Sequence, residues 1–189
     1  MNIHLTGDSL IARYEGHKQP IINEILKELK DKLSITNTAC PGDNTADILA
    51  RMKADILSSK KADKIFILIG TNDLALNKQI GLEQFGHNLT EIIKQLCTVY
   101  ESNEIYFITP SPVDEQKQQY RTNKLIREYA AVIVKVAESM GCYTLDLYWQ
   151  FIEYGQMPLN ELLHGVLDDG LHFGEEGYRI LAELIVRVL

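Results

Sequence analysis

The sequence predicts an α/β fold in which a five-stranded parallel sheet lies between layers of helices. Two observations carry this. Short apolar runs alternate along the whole chain with longer segments of helical periodicity, which is the pattern of βαβ units. The run Lys64–Ile69, KIFILI, is almost continuously apolar, as expected of a central strand covered on both faces.

The elements follow in order. Ile3–Thr6 is the first strand. Residues 19–32, QPIINEILKELKDK, place Ile21, Ile22, Ile25, Leu26 and Leu29 at helical spacing. Leu33–Asn37 is the second strand. Residues 44–58 open on Asn44 and Thr45, good cap residues, and continue as a helix. Lys64–Ile69 is the third strand, Leu82–Tyr100 a helix, and Glu104–Thr109 the fourth strand. A long helix is predicted over Gln116–Met140, stopped by Gly141, followed by a fifth strand over Cys142–Leu147. Residues 148–163 read as a shorter, irregular helical region. The last helix begins near Gly174 and carries Tyr178, Ile180, Leu181 and Leu184 on one face. No repeat, low-complexity tract or linker interrupts the pattern, so residues 1–189 are expected to form one domain.

Composition narrows the function classes. The net charge of −7 argues against a nucleic-acid binder, which needs a basic face. No apolar run reaches the length of a membrane-spanning helix, and no basic-then-apolar leader opens the chain. Three cysteines, Cys40, Cys97 and Cys142, stand at unrelated spacings, as free thiols in a reducing compartment do. A cytoplasmic location is therefore expected. No Cys-x-x-Cys or His-Glu-x-x-His is present, so there is no zinc signature.

Right-handed crossovers put the C-terminal ends of all parallel strands on one edge, where ligands of open α/β sheets bind. The residues after each strand are unusual. Gly7-Asp8-Ser9 follows the first, Pro41-Gly42-Asp43-Asn44 the second, Gly70-Thr71-Asn72-Asp73 the third and Pro110-Ser111-Pro112 the fourth. Beyond the fifth, after an aromatic stretch, comes Asp168-Asp169-Gly170-Leu171-His172. This set can run acyl transfer. A serine hydroxyl is a poor nucleophile until a base takes its proton, and histidine does so near neutral pH when a carboxylate fixes its tautomer. Asp169-x-x-His172, with Gly170 allowing a sharp turn, supplies base and orienter from one segment. The Ser9 and Gly42 backbone N–H groups and the Asn72 side-chain amide are candidate donors to a tetrahedral oxyanion.

These four blocks resemble the SGNH hydrolases, the GDSL lipase/acylhydrolase family. The match is Ser9 in GDSL, Gly42 in PGDNT, Asn72 in GTND and His172 in DGLH, with the family's acid at Asp169, three residues before the histidine. The blocks run from residue 7 to residue 172, in the family's order. The resemblance implies a flavodoxin-like three-layer α/β/α sandwich, hydrolysis of esters, thioesters or acetylated sugars, and no cofactor. The chain departs from the family pattern twice. Ala39 stands where the second block usually has an earlier glycine, and Phe173 where proline often follows the histidine. Neither removes a catalytic group, and both bear on the pocket.

Plainer readings compete at each position. The plainer reading of Ser9 is a helix N-cap, of Gly42 an ordinary turn glycine and of Asn72 a turn or cap residue, and the four ordered blocks outweigh each of them. His4 reads as packed within the first strand, and His17 and His87 as solvated. His164 is the rival base, because Glu161-x-x-His164 repeats the acid–base spacing on what reads as a surface helix. Asp168 competes with Asp169. Asp8 and Asp73 read as turn-holding carboxylates or, with Asp169 and His172, as metal ligands without diagnostic spacing. The chain has no Gly-x-Ser-x-Gly elbow and no Gly-x-Gly-x-x-Gly after the first strand.

The expected function is that of a serine ester hydrolase acting on a small-molecule ester, with catalytic Ser9, Asp169 and His172, an oxyanion hole of Ser9, Gly42 and Asn72, and no metal or other cofactor. The alternatives are a non-catalytic binding module of the same fold for an acylated or glycan ligand, and metal-dependent phosphoester chemistry. The pocket walls are expected from Leu10–Tyr14, Leu74–Asn77, Ser111–Asp114 and the aromatic stretch Tyr148–Tyr154, whose rings either line the pocket or only pack the loop. Without a large lid insertion the pocket is expected to be shallow. Oligomeric state is not encoded in any feature of the sequence.

Overall fold

A computed structural model describes all residues, Met1–Leu189. Five parallel strands, β1 (Asn2–Gly7), β2 (Ser34–Asn37), β3 (Lys64–Leu68), β4 (Ile105–Ile108) and β5 (Tyr143–Leu145), form one sheet in the order β2-β1-β3-β4-β5. Registers pair Ile3 with Ile35, Leu5 with Phe66, Ile67 with Phe107 and Phe107 with Thr144. The predicted three-layer α/β/α sandwich is the observed one.

Alternation along the strands splits the core in two. Ile3 and Leu5 of β1 and Phe66 and Leu68 of β3 join α1 (Ser9–Ala12), α2 (Ile21–Leu29), α6 (Leu147–Glu153), α7 (Leu159–Leu162) and α8 (Glu175–Val186) on one face. Ile65 and Ile67 of β3 and Ile105 and Phe107 of β4 meet α3 (Thr45–Arg51), α4 (Leu82–Leu96) and α5 (Asn123–Ser139) on the other. β1 leaves the sheet against β3 so closely that a Cβ at Gly7 would lie 2.1 Å from the Leu68 carbonyl oxygen. Only glycine fits there. No helix is long and apolar enough to cross a membrane.

The boundaries differ from the sequence reading where tertiary contacts decide them. Residues 19–32 are helical only over Ile21–Leu29, because Pro20 stands at the N-cap and Lys30 is extended. The segment 44–58 is α-helical through Arg51 and then widens into a π-turn over Met52–Ile56. The fourth helix stops at Leu96, not Tyr100. The fifth strand ends at Leu145, because the Asp146 side chain accepts from Trp149 N and starts α6. The largest correction concerns Gln116–Met140. Helix α5 starts only at Asn123, where the Thr122 hydroxyl accepts from Leu125 N. Residues 113–122 form an irregular strap instead.

The core is continuous with β3, so truncation there should be costly. Phe66→Ala removes a ring that is 1% exposed and stacks on Tyr106 at 5.1 Å. It is expected to cost about 3–5 kcal/mol, read as a lower urea midpoint with an unchanged m-value.

Candidate active site

Ser9 is the first residue of α1, immediately beyond β1. It is not the helix cap. Asp8 takes that role, its Oδ1 accepting from Leu10 N at 2.9 Å. The Ser9 hydroxyl is thereby left for another partner, and it lies 2.9 Å from His172 Nε2. The other ring nitrogen, Nδ1, lies 2.7 Å from Asp169 Oδ2. Asp169 Oδ1 accepts from the backbone N–H groups of Leu171 and His172, both at 3.0 Å. Burial alone would raise the Asp169 carboxyl, but the hydrogen bonds from His172 and Leu171 outweigh it and hold it below its ordinary value. An ionised Asp169 accepts from Nδ1–H, which leaves Nε2 as acceptor for the serine hydroxyl.

The rivals are placed elsewhere. His164 and Asp168 face each other on the surface at 3.4 Å, and Asp168 also meets Lys117. His4 is fully buried, with Nε2 2.8 Å from Thr38 Oγ1. Burial, assisted by the Arg51 charge, lowers it to about 4, so it stays neutral. His17 pairs with Glu24 at the surface, and His87 is exposed. The packed and solvated readings of these three histidines match their positions.

The remaining candidates flank Ser9. Sheet order places the exit of β1 between those of β2, which leads to Gly42, and β3, which leads to Asn72. The two neighbouring turns are tied to this centre, with Cys40 N donating to Gly7 O at 3.0 Å and Asn72 Nδ2 donating to Asp43 O at 2.9 Å. Asn72 is therefore not a simple turn residue. One amide N–H is spent on Asp43 and the second is free. Gly42 adopts φ +87, and no backbone carbonyl accepts from its N–H. The Ser9 N–H, at the first helical position, belongs to the orphan donors of a helix start.

Asp8 and Asp73 hold turns. The Asp73 carboxylate accepts from Thr45 N at 3.1 Å and Thr45 Oγ1 at 2.5 Å, fixing the start of α3. Burial raises Asp73 to about 6 against the opposing Thr45 hydrogen bonds. Asp8 is fully buried with Oδ2 unpartnered, and burial raises it to about 7 although Leu10 N and the Arg121 charge oppose this. No three His, Cys, Asp or Glu side chains are grouped as a metal site.

The strap was invisible in the sequence as a site element. Asp114 N donates to Gly170 O at 2.8 Å, and Gln118 Nε2 donates to Asp169 O at 2.8 Å. Arg121 donates to Gln118 Oε1 at 2.8 Å and to the Thr71 carbonyl at 2.9 Å. Gly170, at φ +71, lies so close to the strap that a Cβ would sit 2.8 Å from Asp114 Cβ. The available signal was Thr122-Asn123, a cap pair ahead of an apolar run.

The expected pocket walls are only partly realised. Ala75, Leu76 and Asn77 face Gln118, Tyr120 and Arg121 across an open groove of about 420 Å³ whose lining includes none of the five candidate residues. Leu10 and Ile11 are buried in the core, as are Ser111 and Val113. Of the aromatic stretch, Phe151 packs on Phe173 at 4.8 Å, and Tyr148 and Trp149 border a separate recess against α5. Packing, not lining, is the role of Phe151. A cavity of about 610 Å³ lies beside the strap at Val113–Lys117 and Leu159–Asn160 and likewise contains none of the five candidate residues.

The buried carboxylates set a pH dependence. A carboxyl raised by folding stabilises the fold below its ordinary value near 3.8, and that stabilisation is lost as pH rises through about 7 for Asp8. Asparagine keeps the cap acceptor. The stability of the native protein relative to Asp8→Asn is therefore expected to fall by a few kcal/mol between about pH 4 and 7, measured by urea unfolding across that range.

The chain is similar to known proteins over most of its length. Residues 5–180 match the GDSL-like Lipase/Acylhydrolase family. GDSL esterase/lipase WDL1 of Oryza sativa subsp. japonica is 28% identical over 76% of this chain and 68% of its own length. The isoamyl acetate-hydrolyzing esterase 1 homolog of Homo sapiens is 30% identical over 94% of this chain and 76% of its own. The crystal structure of a lipase/acylhydrolase from Enterococcus faecalis superposes with a TM-score of 0.86 at 30% identity, covering 99% of this chain and 94% of that one. With its sheet order, its four blocks and this match, the chain belongs to the GDSL-like lipase/acylhydrolase family and is a carboxylic ester hydrolase.

Proposed function

We propose that this protein is a serine esterase that cleaves small, short-chain carboxylic esters through an acyl-enzyme on Ser9. The observation that carries the reading is the unbroken hydrogen-bonded chain from Ser9 Oγ to His172 at 2.9 Å and on to Asp169 at 2.7 Å. His172 takes the serine proton as Oγ attacks the ester carbonyl, and Asp169 stabilises the imidazolium. The Ser9 and Gly42 N–H groups and the free Asn72 N–H receive the oxyanion. His172 returns the proton to the departing alcohol. It then activates a water that releases the acid. None of these steps calls on a cofactor.

The small acyl group is supported by the human relative's name, which specifies an acetate ester. Acetylated sugars and thioesters remain within the same chemistry. We read residues 1–189 as one domain, because β1 and α8 pack in the same layer. We place it in the cytoplasm on the strength of its three free thiols.

Hydrolysis of p-nitrophenyl acetate in the presence of chelator tests the reading. The native protein is expected to turn over, and Ser9→Ala and His172→Ala to lose at least about 10³-fold in kcat. Asn72→Ala is expected to lower kcat by about 10²–10³-fold with KM little changed. Tight binding of an ester or glycan without turnover would favour the binding module, and chelator sensitivity the metal-dependent alternative.

A further inference from the structure

Arg51 ends α3 on the face of the sheet opposite Ser9's helix layer, and its side chain is only 14% exposed. Its guanidinium bridges the exits of two neighbouring strands, β1 and β2. Nε donates to Asp43 Oδ2 at 2.5 Å, one terminal nitrogen to the Thr38 carbonyl at 2.7 Å and the other to Thr6 Oγ1 at 3.4 Å. Thr6 is the next-to-last residue of β1, just before Gly7-Asp8-Ser9, and Thr38 begins the turn that carries Gly42. Asp43 follows Gly42 directly, and its carbonyl holds the Asn72 amide.

We propose that Arg51 is a positioning residue for the oxyanion site, fixing the Gly42 N–H and the free Asn72 N–H together through Asp43. This rests on the esterase reading above. The direction of the free Asn72 N–H is set by where its sister N–H finds the Asp43 carbonyl. The Gly42 N–H belongs to the Pro41–Gly42 peptide, and the turn that carries it is held on both sides by the Arg51 guanidinium, at the Thr38 carbonyl and at Asp43. Both N–H groups therefore depend on the ties that Arg51 makes. The Asp43 backbone is also held by its N–H to Cys40 O at 3.2 Å, and the Gly42 carbonyl accepts from Lys78 Nζ at 2.8 Å. The first is a weak turn bond and the second is exposed to solvent. Arg51 supplies the buried tie, and it is the one cation paired with Asp43. A planar fork can hold Asp43 and Thr38 at once, whereas a lysine ammonium presents one point of charge.

A double-mutant cycle with p-nitrophenyl acetate tests this, with Arg51→Met and Arg51→Lys made in the native and Asn72→Ala backgrounds. Arg51→Met is expected to lower kcat at least about 10-fold with KM within about 2-fold, and Arg51→Lys to recover only part of the loss. In the Asn72→Ala background the same change is expected to cost under about 3-fold, because one of the two donors it fixes is already gone. Equal losses in both backgrounds, a change confined to KM, or a lower melting temperature with kcat intact would overturn the proposal. If Arg51→Met does not fold, Asp43→Asn removes the pairing charge at constant volume and is read by the same criteria. Turnover retained by Ser9→Ala would instead overturn the esterase reading itself, and with it this role.

Discussion

The functional edge depends on one constraint: β1 is an interior strand, paired with β2 on one side and β3 on the other. In a parallel sheet all strands point the same way, so the turn after β1 emerges between the turns after its two neighbours. Ser9, Gly42 and Asn72 lie far apart in sequence and meet for that reason alone. The pairing is tight at its last step, where the Gly7 backbone runs against the Leu68 carbonyl with no room for a side chain. A bulkier residue there would part β1 from β3 and separate the hydroxyl from the amide.

Convergence of turns has an electrostatic cost. Asp8, Asp43 and Asp73 all stand at this edge, largely shielded from water, and burial disfavours their charged forms. Each is answered locally. Asp8 caps α1, Asp73 receives Thr45, and Asp43 receives Arg51. Each of these carboxylates is an acceptor that ties down a turn of the edge. The strap solves the same problem on the histidine side, where Gln118 and Arg121 link the Asp169 carbonyl to the Thr71 carbonyl with neutral and cationic donors. No carboxylate forms an ion pair with Arg121, and its charge acts at longer range on Asp8 and Asp169.

What was legible in the sequence is what local chemistry decides. The strands announce themselves by apolar runs, the crossovers by helical spacing, and the site by four short blocks whose residues are each strongly constrained by a turn. The long-range bonds were not legible. Gln116–Arg121 is polar and helix-compatible, and nothing within it says that its donors are committed to Asp169 and Thr71. Helix α1 is too short to show a period. Arg51 falls inside the helix expected over residues 44–58, and nothing there says that its partners lie on β1 and beyond β2. The aromatic stretch left two readings open for a related reason. Ring-rich segments serve cores and pockets equally, and only the packing of Phe151 on Phe173 decides between them.

The substitution of Phe173 for the family's common proline illustrates how the fold compensates. Proline after the histidine restricts the backbone there. This chain obtains a comparable restraint by burial. Leu171 is buried among the residues of α3, α4 and α5, whereas Phe173 is fully buried on the opposite side, against Phe151 and Tyr178. Alternate residues of one short segment are thus anchored in the two separate halves of the core. His172 lies between these anchors and can turn neither way without withdrawing an apolar side chain from its layer. Its ring is then aligned by Asp169 at one nitrogen and Ser9 at the other. Two apolar anchors and two hydrogen bonds fix the imidazole from four directions, so its placement does not depend on the stiffness of any one residue beside it.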